Sequence, residues 1–158
     1  YVADWGESAE FEAFRRTPLY SLLTSDRAIA DTMGALIAHG VFARHPRIRV
    51  ATIESGSEWV HPLLKQLAKS YSMTPGGFAE DPVATFRRHV WVAPYYEDDI
   101  RHLADAIGAD HVLFGSDWPH AEGLAEPKAF IEDLDGFDDD EVRLIMRDNA
   151  LALSRPPA

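Results

Sequence analysis

The chain has 158 residues, 46% of them apolar and 26% charged, which is usual for one globular domain and argues against a disordered or fibrous protein. Its net charge of −11 disfavours nucleic-acid binding, which requires clustered Lys and Arg. No apolar run reaches the roughly 20 residues that span a bilayer, and the N-terminus lacks the pattern of a signal peptide, so we expect a cytoplasmic protein without a membrane partner.

The first half of the chain predicts two helices separated by a strand. Apolar residues at helical spacing predict a helix over residues 25–45, capped by its first residue, a serine, and ended by a proline. Residues 49–53 are rich in β-branched side chains and predict a buried strand. Ser55 and Glu58 follow as an S-x-x-E capping box, which predicts a helix over about 60–71.

The second half continues this alternation. Asp81 before Pro82 is typical of a helix N-terminus, and the D-x-x-E pattern of Asp138 and Glu141 predicts the start of the last helix. The elements predicted after Asp81 are, in chain order, a short helical turn to Phe86, a strand over 89–93, a helix over 97–107 closed by Gly108, a strand over 112–114, a helix over 127–134 and a helix from Asp138 to about Leu153.

Helices that alternate with strands in this way predict an α/β fold with a parallel sheet. An open doubly wound sheet and a closed barrel share this local pattern, and periodicity does not separate them. No glycine-rich G-x-G-x-x-G or phosphate-binding loop follows any predicted strand, which disfavours a nucleotide-binding fold. The sequence has no cysteine, so any bound metal would require His and carboxylate ligands.

Side chains that follow the strands of a parallel sheet converge on its ligand site, which makes Asp117 the most informative residue. It follows the predicted strand over 112–114 and is bracketed by Gly115 and Pro119. A carboxylate held at this position could ligate a cation or transfer a proton. Position alone equally allows Asp117 to cap the segment that follows it.

Three segments resemble one known family. Residues 111–123, HVLFGSDWPHAEG, closely resemble the last-strand motif of the amidohydrolase-related proteins, which include aminocarboxymuconate-semialdehyde decarboxylase and the resorcylate decarboxylases. Residues 45–60, HPRIRVATIESGSEWV, resemble that family's sixth strand and loop, and residues 141–153, EVRLIMRDNALAL, resemble its closing helix. The resemblance covers most of the chain from about Ala28 onward.

The resemblance implies an α/β fold of the metal-dependent hydrolase type, namely the C-terminal part of a TIM (β/α)₈ barrel. Residues 1–158 would form one partial barrel domain with about strands six to eight and their helices, and the N-terminal half would be absent.

In this family a divalent metal, commonly zinc, is held by an H-x-H or E-x-H pair on the first strand, a His on the fifth and an Asp on the eighth. Only the last position maps onto this chain, as Asp117, which is therefore implied to be both a metal ligand and a catalytic residue. We expect the parent protein to be an enzyme that binds the metal. We expect the 158-residue chain by itself to be inactive and without bound metal.

One position departs from the family. The sixth-strand position that carries a catalytic His in the decarboxylases is Glu54 here, where a carboxylate could serve as a catalytic base or as an orienting group. This departure favours a hydrolase acting on a small organic substrate, aromatic or carboxylated, over the alternative of a non-oxidative decarboxylase. A non-catalytic structural or interaction module is the third interpretation, because most of the implied metal ligands are missing.

Four further side chains are predicted to face the same end of the barrel and to bind substrate. Trp59, Tyr95 and Trp118 could line an apolar or aromatic pocket, and core packing explains them equally well. His120 could hydrogen-bond the substrate or stabilise the loop after Asp117. The other six histidines are assigned surface or packing roles.

The length of the chain also predicts an assembly. A complete barrel needs about 250 residues, so 158 residues cannot close one. Either a longer parent chain or a second copy of this chain must cover the exposed parallel edges, which would otherwise favour aggregation. We therefore expect a homo-oligomer.

Overall fold

The computed structural model describes residues 9–20, 27–121 and 123–155, so the predicted helix cap at Ser25 lies outside the described residues. In chain order the helices and strands are α1 (Ala9–Arg15), α2 (Arg27–Ala38), α3 (Val41–Arg44), β1 (Val50–Thr52), α4 (Val60–Met73), α5 (Pro82–His89), β2 (Val90–Val92), α6 (Ile100–Ile107), α7 (Asp139–Arg143) and α8 (Asn149–Ser154). Short 3₁₀ helices cover Pro75–Gly77, Ala109–His111 and Pro127–Asp133, and a π-helical segment, Leu144–Asp148, joins α7 to α8.

The two strands lie side by side and parallel, with Val50 opposite Val90 and Thr52 opposite Val92. An isolated parallel bridge between Val92 and Val112 adds the third predicted segment on the other side of β2. The predicted parallel arrangement is therefore confirmed for three neighbouring segments. Their carboxyl ends lie at one edge, because parallel segments run in the same direction.

The third segment is shorter than the sequence predicts. The predicted strand covers 112–114, but pairing stops after the N–H of Leu113 donates to the carbonyl of Val92 at 2.8 Å. In a parallel ladder of this register, residue 94 would donate the next hydrogen bond. Pro94 has no N–H, so the ladder ends there.

One predicted helix is divided in two. The sequence predicts a continuous helix over 25–45, whereas α2 ends at Ala38 and α3 begins at Val41. Gly40 lies between them with φ 63° and ψ 31°, in the left-handed region that glycine adopts without steric cost. The prediction of one continuous helix is wrong, because apolar periodicity does not reveal a single left-handed residue.

Of the three predicted helix N-caps that lie within the described residues, two are confirmed. The side chain of Asp81 accepts two backbone N–H bonds at the start of α5, at 2.8 and 3.1 Å, and Asp138 forms a complete capping box with Glu141 at α7. The third, the S-x-x-E pattern that starts at Ser55, is wrong. Helix α4 begins only at Val60, and the Ser55 hydroxyl instead donates to the carbonyl of residue 53 at 3.4 Å.

The helices and the sheet share one core of aliphatic and aromatic side chains. Its most deeply buried members include Phe42, Val60, Phe86, Val90, Val92, Val112, Phe130 and Ile145. His89 is buried with them, at the end of α5 rather than in the predicted strand, and its ring stacks on Phe42 with centroids 4.7 Å apart. None of the described helices has the length and apolar character that crossing a membrane would require.

Asn149 connects α8 to the start of the third sheet segment. Its side chain is buried, and its Nδ2 donates to the carbonyl of Ala109 at 2.8 Å and to that of Val112 at 2.7 Å. Buried carbonyls need hydrogen-bond partners, so this amide holds α8 against the segment that leads to Asp117.

We expect Asn149→Ala to lower the free energy of unfolding by about 2 kcal/mol, because two buried carbonyls lose their donor. Asn149→Asp should lower it further, since a carboxylate would face the same two carbonyl oxygens. Urea denaturation measures both changes. The control is Ser154→Ala, which removes an exposed hydroxyl and should change stability by less than about 0.5 kcal/mol. An Asn149→Ala variant as stable as the control would contradict this role.

Candidate functional site

Two carboxylates follow the sheet at its carboxyl edge. Glu54 lies two residues beyond β1, and Asp117 lies in the loop after the third segment. Both residues have positive φ angles, 55° and 53°, which are uncommon outside glycine. Backbone conformations of this kind cluster at functional sites. The two loops thus mark a candidate functional site at this edge of the sheet.

These loops assemble a cluster of Glu54, Asp117 and His120. The His120 Nδ1 donates to Asp117 Oδ1 at 2.9 Å and lies 4.0 Å from Glu54 Oε1. One ligand atom from each of the three residues lies within 4.8 Å of the others. Among the residues that the structure describes, no other group of three His or acidic side chains meets this closely.

Burial distinguishes the members of the cluster. The Asp117 side chain is 14% exposed, whereas those of Glu54 and His120 are 64% and 52% exposed. Asp117 is therefore held by the protein, and the other two reach it from the solvent side. Asp117 is therefore the member of the cluster with the most fixed position, and a bound ligand would be positioned relative to it.

Glycines allow the loop of Asp117 to pack tightly on its surroundings. A Cβ on Gly115 would lie 2.4 Å from the carbonyl oxygen of Pro94, and a Cβ on Gly123 would lie 2.3 Å from that of Asp117. The N–H of Leu124 also donates to the carbonyl of Ser116 at 2.9 Å and closes the loop. Any larger residue at either glycine would displace the backbone that carries Asp117.

The donor set of the cluster fits a divalent metal. One imidazole and two carboxylates are ligands that zinc and manganese accept in proteins, and the chain has no cysteine that would compete. The three donor atoms already lie within 4.8 Å of one another, so small side-chain rotations would bring them to a common ion. Within the part of the chain that the structure describes, Glu54, Asp117 and His120 are therefore the residues that could hold a metal.

Two cavities adjoin the cluster. The first has a volume of about 200 Å³, and its lining includes Glu54, Tyr95, Phe114, Asp117 and Trp118. The second, of about 310 Å³, is lined by Tyr95, Tyr96, Glu97, Asp98 and Asp117. Asp117 and Tyr95 belong to both, so the two spaces meet at the cluster. A small organic molecule with an aromatic group could be bound there, because aromatic side chains and carboxylates line the same space.

Tyr96 enters the second cavity as a phenol rather than a phenolate. Glu97 accepts a hydrogen bond from the Tyr96 hydroxyl, and its negative charge adds to that effect; together they raise the pKa of Tyr96 above its usual value. The neutral hydroxyl persists at physiological pH and above it. Tyr96 can therefore contribute a hydroxyl group, but no negative charge, to this side of the site.

The structure brings together five of the six site residues that the sequence suggests. Glu54, Tyr95, Asp117 and Trp118 line the first cavity, and His120 joins Asp117 at its edge. Their roles stay predictions. Trp118 is 60% exposed, so its indole is accessible to a ligand.

Trp59 is not brought to this group. Its indole is buried beneath the sheet edge, where its Nε1–H donates to the Gly56 carbonyl at 3.0 Å and its ring centroid lies 6.0 Å from that of Phe86. It lines neither of the two cavities. This placement favours the alternative that Trp59 is a packing residue, because its side chain is buried in the hydrophobic core.

Sequence reasoning misses Asp98. One oxygen of its carboxylate, Oδ2, accepts hydrogen bonds from the backbone N–H and hydroxyl of Ser57 and from the backbone N–H of Tyr95. The acidic run over 97–99 is interpreted from sequence as the first turn of a helix, whereas α6 begins at Ile100. An acid in the loop between β2, which ends at Val92, and α6 was the signal that could have identified it.

The similarity to known proteins is consistent with this geometry. A family model described as Amidohydrolase matches residues 13–155. The chain belongs to the amidohydrolase family. An amidohydrolase from Mycobacterium avium subsp. paratuberculosis K-10 is similar to it, with 52% sequence identity and a TM-score of 0.84; the match covers 91% of this chain and 38% of that one.

Two more distant solved structures share the fold. The 5-carboxyvanillate decarboxylase LigW from Sphingomonas paucimobilis is 20% identical with a TM-score of 0.66, covering 95% of this chain and 47% of its own. A dihydroxybenzoic acid decarboxylase from Polaromonas sp. JS666, with bound manganese and the inhibitor 2-nitroresorcinol, is 18% identical with a TM-score of 0.63, covering 91% and 44%. The chain thus spans less than half the length of each of these three proteins.

We expect Gly115→Ala to lower the free energy of unfolding by about 1 to 3 kcal/mol, because the new Cβ would overlap the Pro94 carbonyl. Gly76→Ala is the matched control, since no atom lies within 4 Å of a Cβ at that position. Thermal and urea denaturation compare the two variants. Equal stability of both would show that the loop of Asp117 is not tightly packed.

Proposed function

We propose that the complete protein is a metal-dependent hydrolase that acts on a small organic substrate, aromatic or carboxylated. The observation that carries this proposal is the cluster of Glu54, Asp117 and His120 at the carboxyl edge of a parallel sheet, beside two cavities. Membership of the amidohydrolase family supports it. The substrate is expected to lie against Tyr95 and Trp118, whose rings are accessible there.

The proposal includes the architecture of the complete protein. The three parallel segments would be about strands six to eight of a TIM (β/α)₈ barrel, and residues 1–158 would form part of that one domain. The solved relatives that match are longer than this chain, which supports a larger parent domain. For the 158-residue chain by itself a homo-oligomer is proposed, because the outer edge of β1 would then need cover; in a complete barrel a neighbouring strand would cover that edge.

A divalent metal, zinc or manganese, would supply Lewis-acid activation of a carbonyl or of water in such a site. Asp117 would hold the metal and accept or deliver a proton on the reacting atoms. Glu54 would act as a base or orient a ligand, and His120 would donate a hydrogen bond to Asp117 or to the substrate. Because some of the implied ligands come from other strands, the chain by itself is proposed to be inactive.

Non-oxidative decarboxylation is the second candidate, favoured by the two decarboxylases that share the fold. One of them is bound to manganese and to a nitrated resorcinol, so manganese and a phenolic acid are alternative metal and substrate here. The presence of Glu54 instead of a histidine favours the hydrolase. A non-catalytic structural module is the third candidate, and it predicts that the complete protein binds no metal.

We expect Asp117→Asn in the complete protein to remove the bound metal and to lower turnover by more than about 100-fold. Loss of a residue that only hydrogen-bonds to a metal ligand already lowers metal affinity or activity by about 10- to 100-fold, and Asp117 is proposed to be a ligand itself. Elemental mass spectrometry measures the metal, and circular dichroism shows that the variant is folded. Asp135→Asn, which changes an exposed acid far from the cluster in sequence, is the matched control. A folded Asp117→Asn enzyme with full metal content would refute the proposal.

Two substrate panels separate the remaining candidates. Hydrolysis is tested with aromatic esters, lactones and amides, and decarboxylation with hydroxybenzoates by release of carbon dioxide. Turnover of the first panel that depends on Asp117 supports the hydrolase, and turnover of the second alone supports the decarboxylase. Absence of metal and of turnover in both panels supports the structural module.

A further inference from the structure

Asp98 connects the loops that follow β1 and β2. Its Oδ2 accepts the backbone N–H of Ser57 at 2.7 Å, the Ser57 hydroxyl at 2.9 Å and the backbone N–H of Tyr95 at 3.0 Å. Ser57 is buried, and it lies 41 residues from Asp98 in the chain. One carboxylate oxygen therefore joins two loops that the sequence separates.

These three hydrogen bonds are charge-assisted, because the acceptor is a carboxylate. Bonds to an ionised acceptor are roughly twice as strong as those between neutral groups. The loops also pack closely where the bonds form: Gly56 has φ 56°, and a Cβ there would lie 2.8 Å from the ring of Tyr95 and 3.3 Å from Asp98 Oδ2. Little room is left for one loop to move relative to the other.

Glu54 is carried by the loop that Asp98 restrains. It lies three residues before Ser57 and has a positive φ, so its direction depends on how that loop is held. Its side chain is mostly exposed and lies 4.0 Å from His120, so few other contacts of its own fix it. Glu54 lies between two attachments to the neighbouring segment: the Thr52 carbonyl, two residues before it, accepts the N–H of Ala93 at 3.0 Å, and Ser57, three residues after it, is bonded to Asp98.

We propose that Asp98 is a positioning residue, which holds the loop of Glu54 against the loop of Tyr95 and so keeps Glu54 within reach of Asp117 and His120. The inference rests on the proposed function, because the cluster matters only if it holds a metal. Asp98 also lines the second cavity, but the hydrogen bonds of its side chain go to Ser57 and to the backbone of Tyr95 rather than to the proposed metal ligands. Asp98 acts on the site through the backbone of the two loops.

A double-mutant cycle on metal affinity tests this coupling in the complete protein. Zinc and manganese affinities are measured by chelator competition for the wild type, Asp98→Ala, Glu54→Gln and the double variant. Asp98→Ala should weaken binding by about 10- to 100-fold, as loss of a group that orients a ligand does. In the Glu54→Gln background it should weaken binding no further. Two effects that simply multiply would overturn the proposal.

Neighbouring substitutions control for loss of stability. Asp99→Ala changes the adjacent acid, which caps α6 by accepting the N–H of His102 at 2.8 Å and makes no hydrogen bond to Ser57. It should leave metal affinity unchanged. Asp98→Asn keeps an oxygen that can accept all three bonds and should restore much of the affinity lost in Asp98→Ala. Equal losses in the Asp98→Ala and Asp99→Ala variants would overturn the proposal.

Amide hydrogen exchange provides a readout that does not depend on metal. Asp98→Ala should raise the exchange rates of the Ser57 and Tyr95 amides, whereas Asp99→Ala should leave both unchanged. If the wild type binds neither zinc nor manganese, the proposed function fails, and exchange alone decides whether Asp98 holds the loops. Unchanged protection of both amides in a folded Asp98→Ala variant overturns the inference in either case.

Discussion

Val50 lies opposite Val90 and Val92 lies opposite Val112, and this parallel register brings the loops of Glu54, Tyr95 and Asp117 to one edge of the sheet. A shift of one residue in either pairing would turn every side chain of the shifted strand to the opposite face of the sheet. The register is maintained by the core, since Val90, Val92 and Val112 are fully buried. The chemistry of the site therefore depends on apolar packing below it.

At the carboxyl edge of the sheet, the two carboxylates of the site are positioned by different kinds of interaction. Asp117 is positioned by close backbone packing at two glycines, which leaves its side chain mostly buried. Glu54 is exposed, and its loop is restrained through hydrogen bonds at Ser57. The same edge thus combines a rigid carboxylate with a more adaptable one. Such a pair suits a site in which one carboxylate stays bound to a ligand while the other changes its position or its protonation during the reaction.

Much of the fold could be predicted from the sequence because its signals are local. The parallel order of the three segments, the cap at Asp81 and the capping box at Asp138 follow from residue spacing, and the structure confirms them. The break at Gly40 was missed, because a single left-handed glycine has no periodic signature. The capping box at Ser55 was predicted wrongly, because spacing alone does not show whether an S-x-x-E pattern is used, although α4 does begin at Val60 as predicted.

The site was predictable only in part, because sequence signals are local and contacts between distant residues leave none. Asp117 stands out because it follows a strand and sits in a recognisable motif. Asp98 matters through contacts with Ser57, which lies 41 residues away, and no spacing rule connects residues at that distance. Trp59 illustrates the opposite error, because an aromatic residue near a strand end can face the core as easily as the ligand.

Pro94 has a consequence beyond ending the ladder. Because it cannot donate to the neighbouring segment, the regular pairing of the sheet stops one step before the residues that line the cavities. The conformations of the loops over 95–99 and 115–121 are therefore not fixed by strand pairing between the second and third segments. A substitution or insertion in either loop therefore need not shift the pairing of Val50 with Val90 or of Val92 with Val112, so the residues around the cavities can change while the register of the sheet is kept.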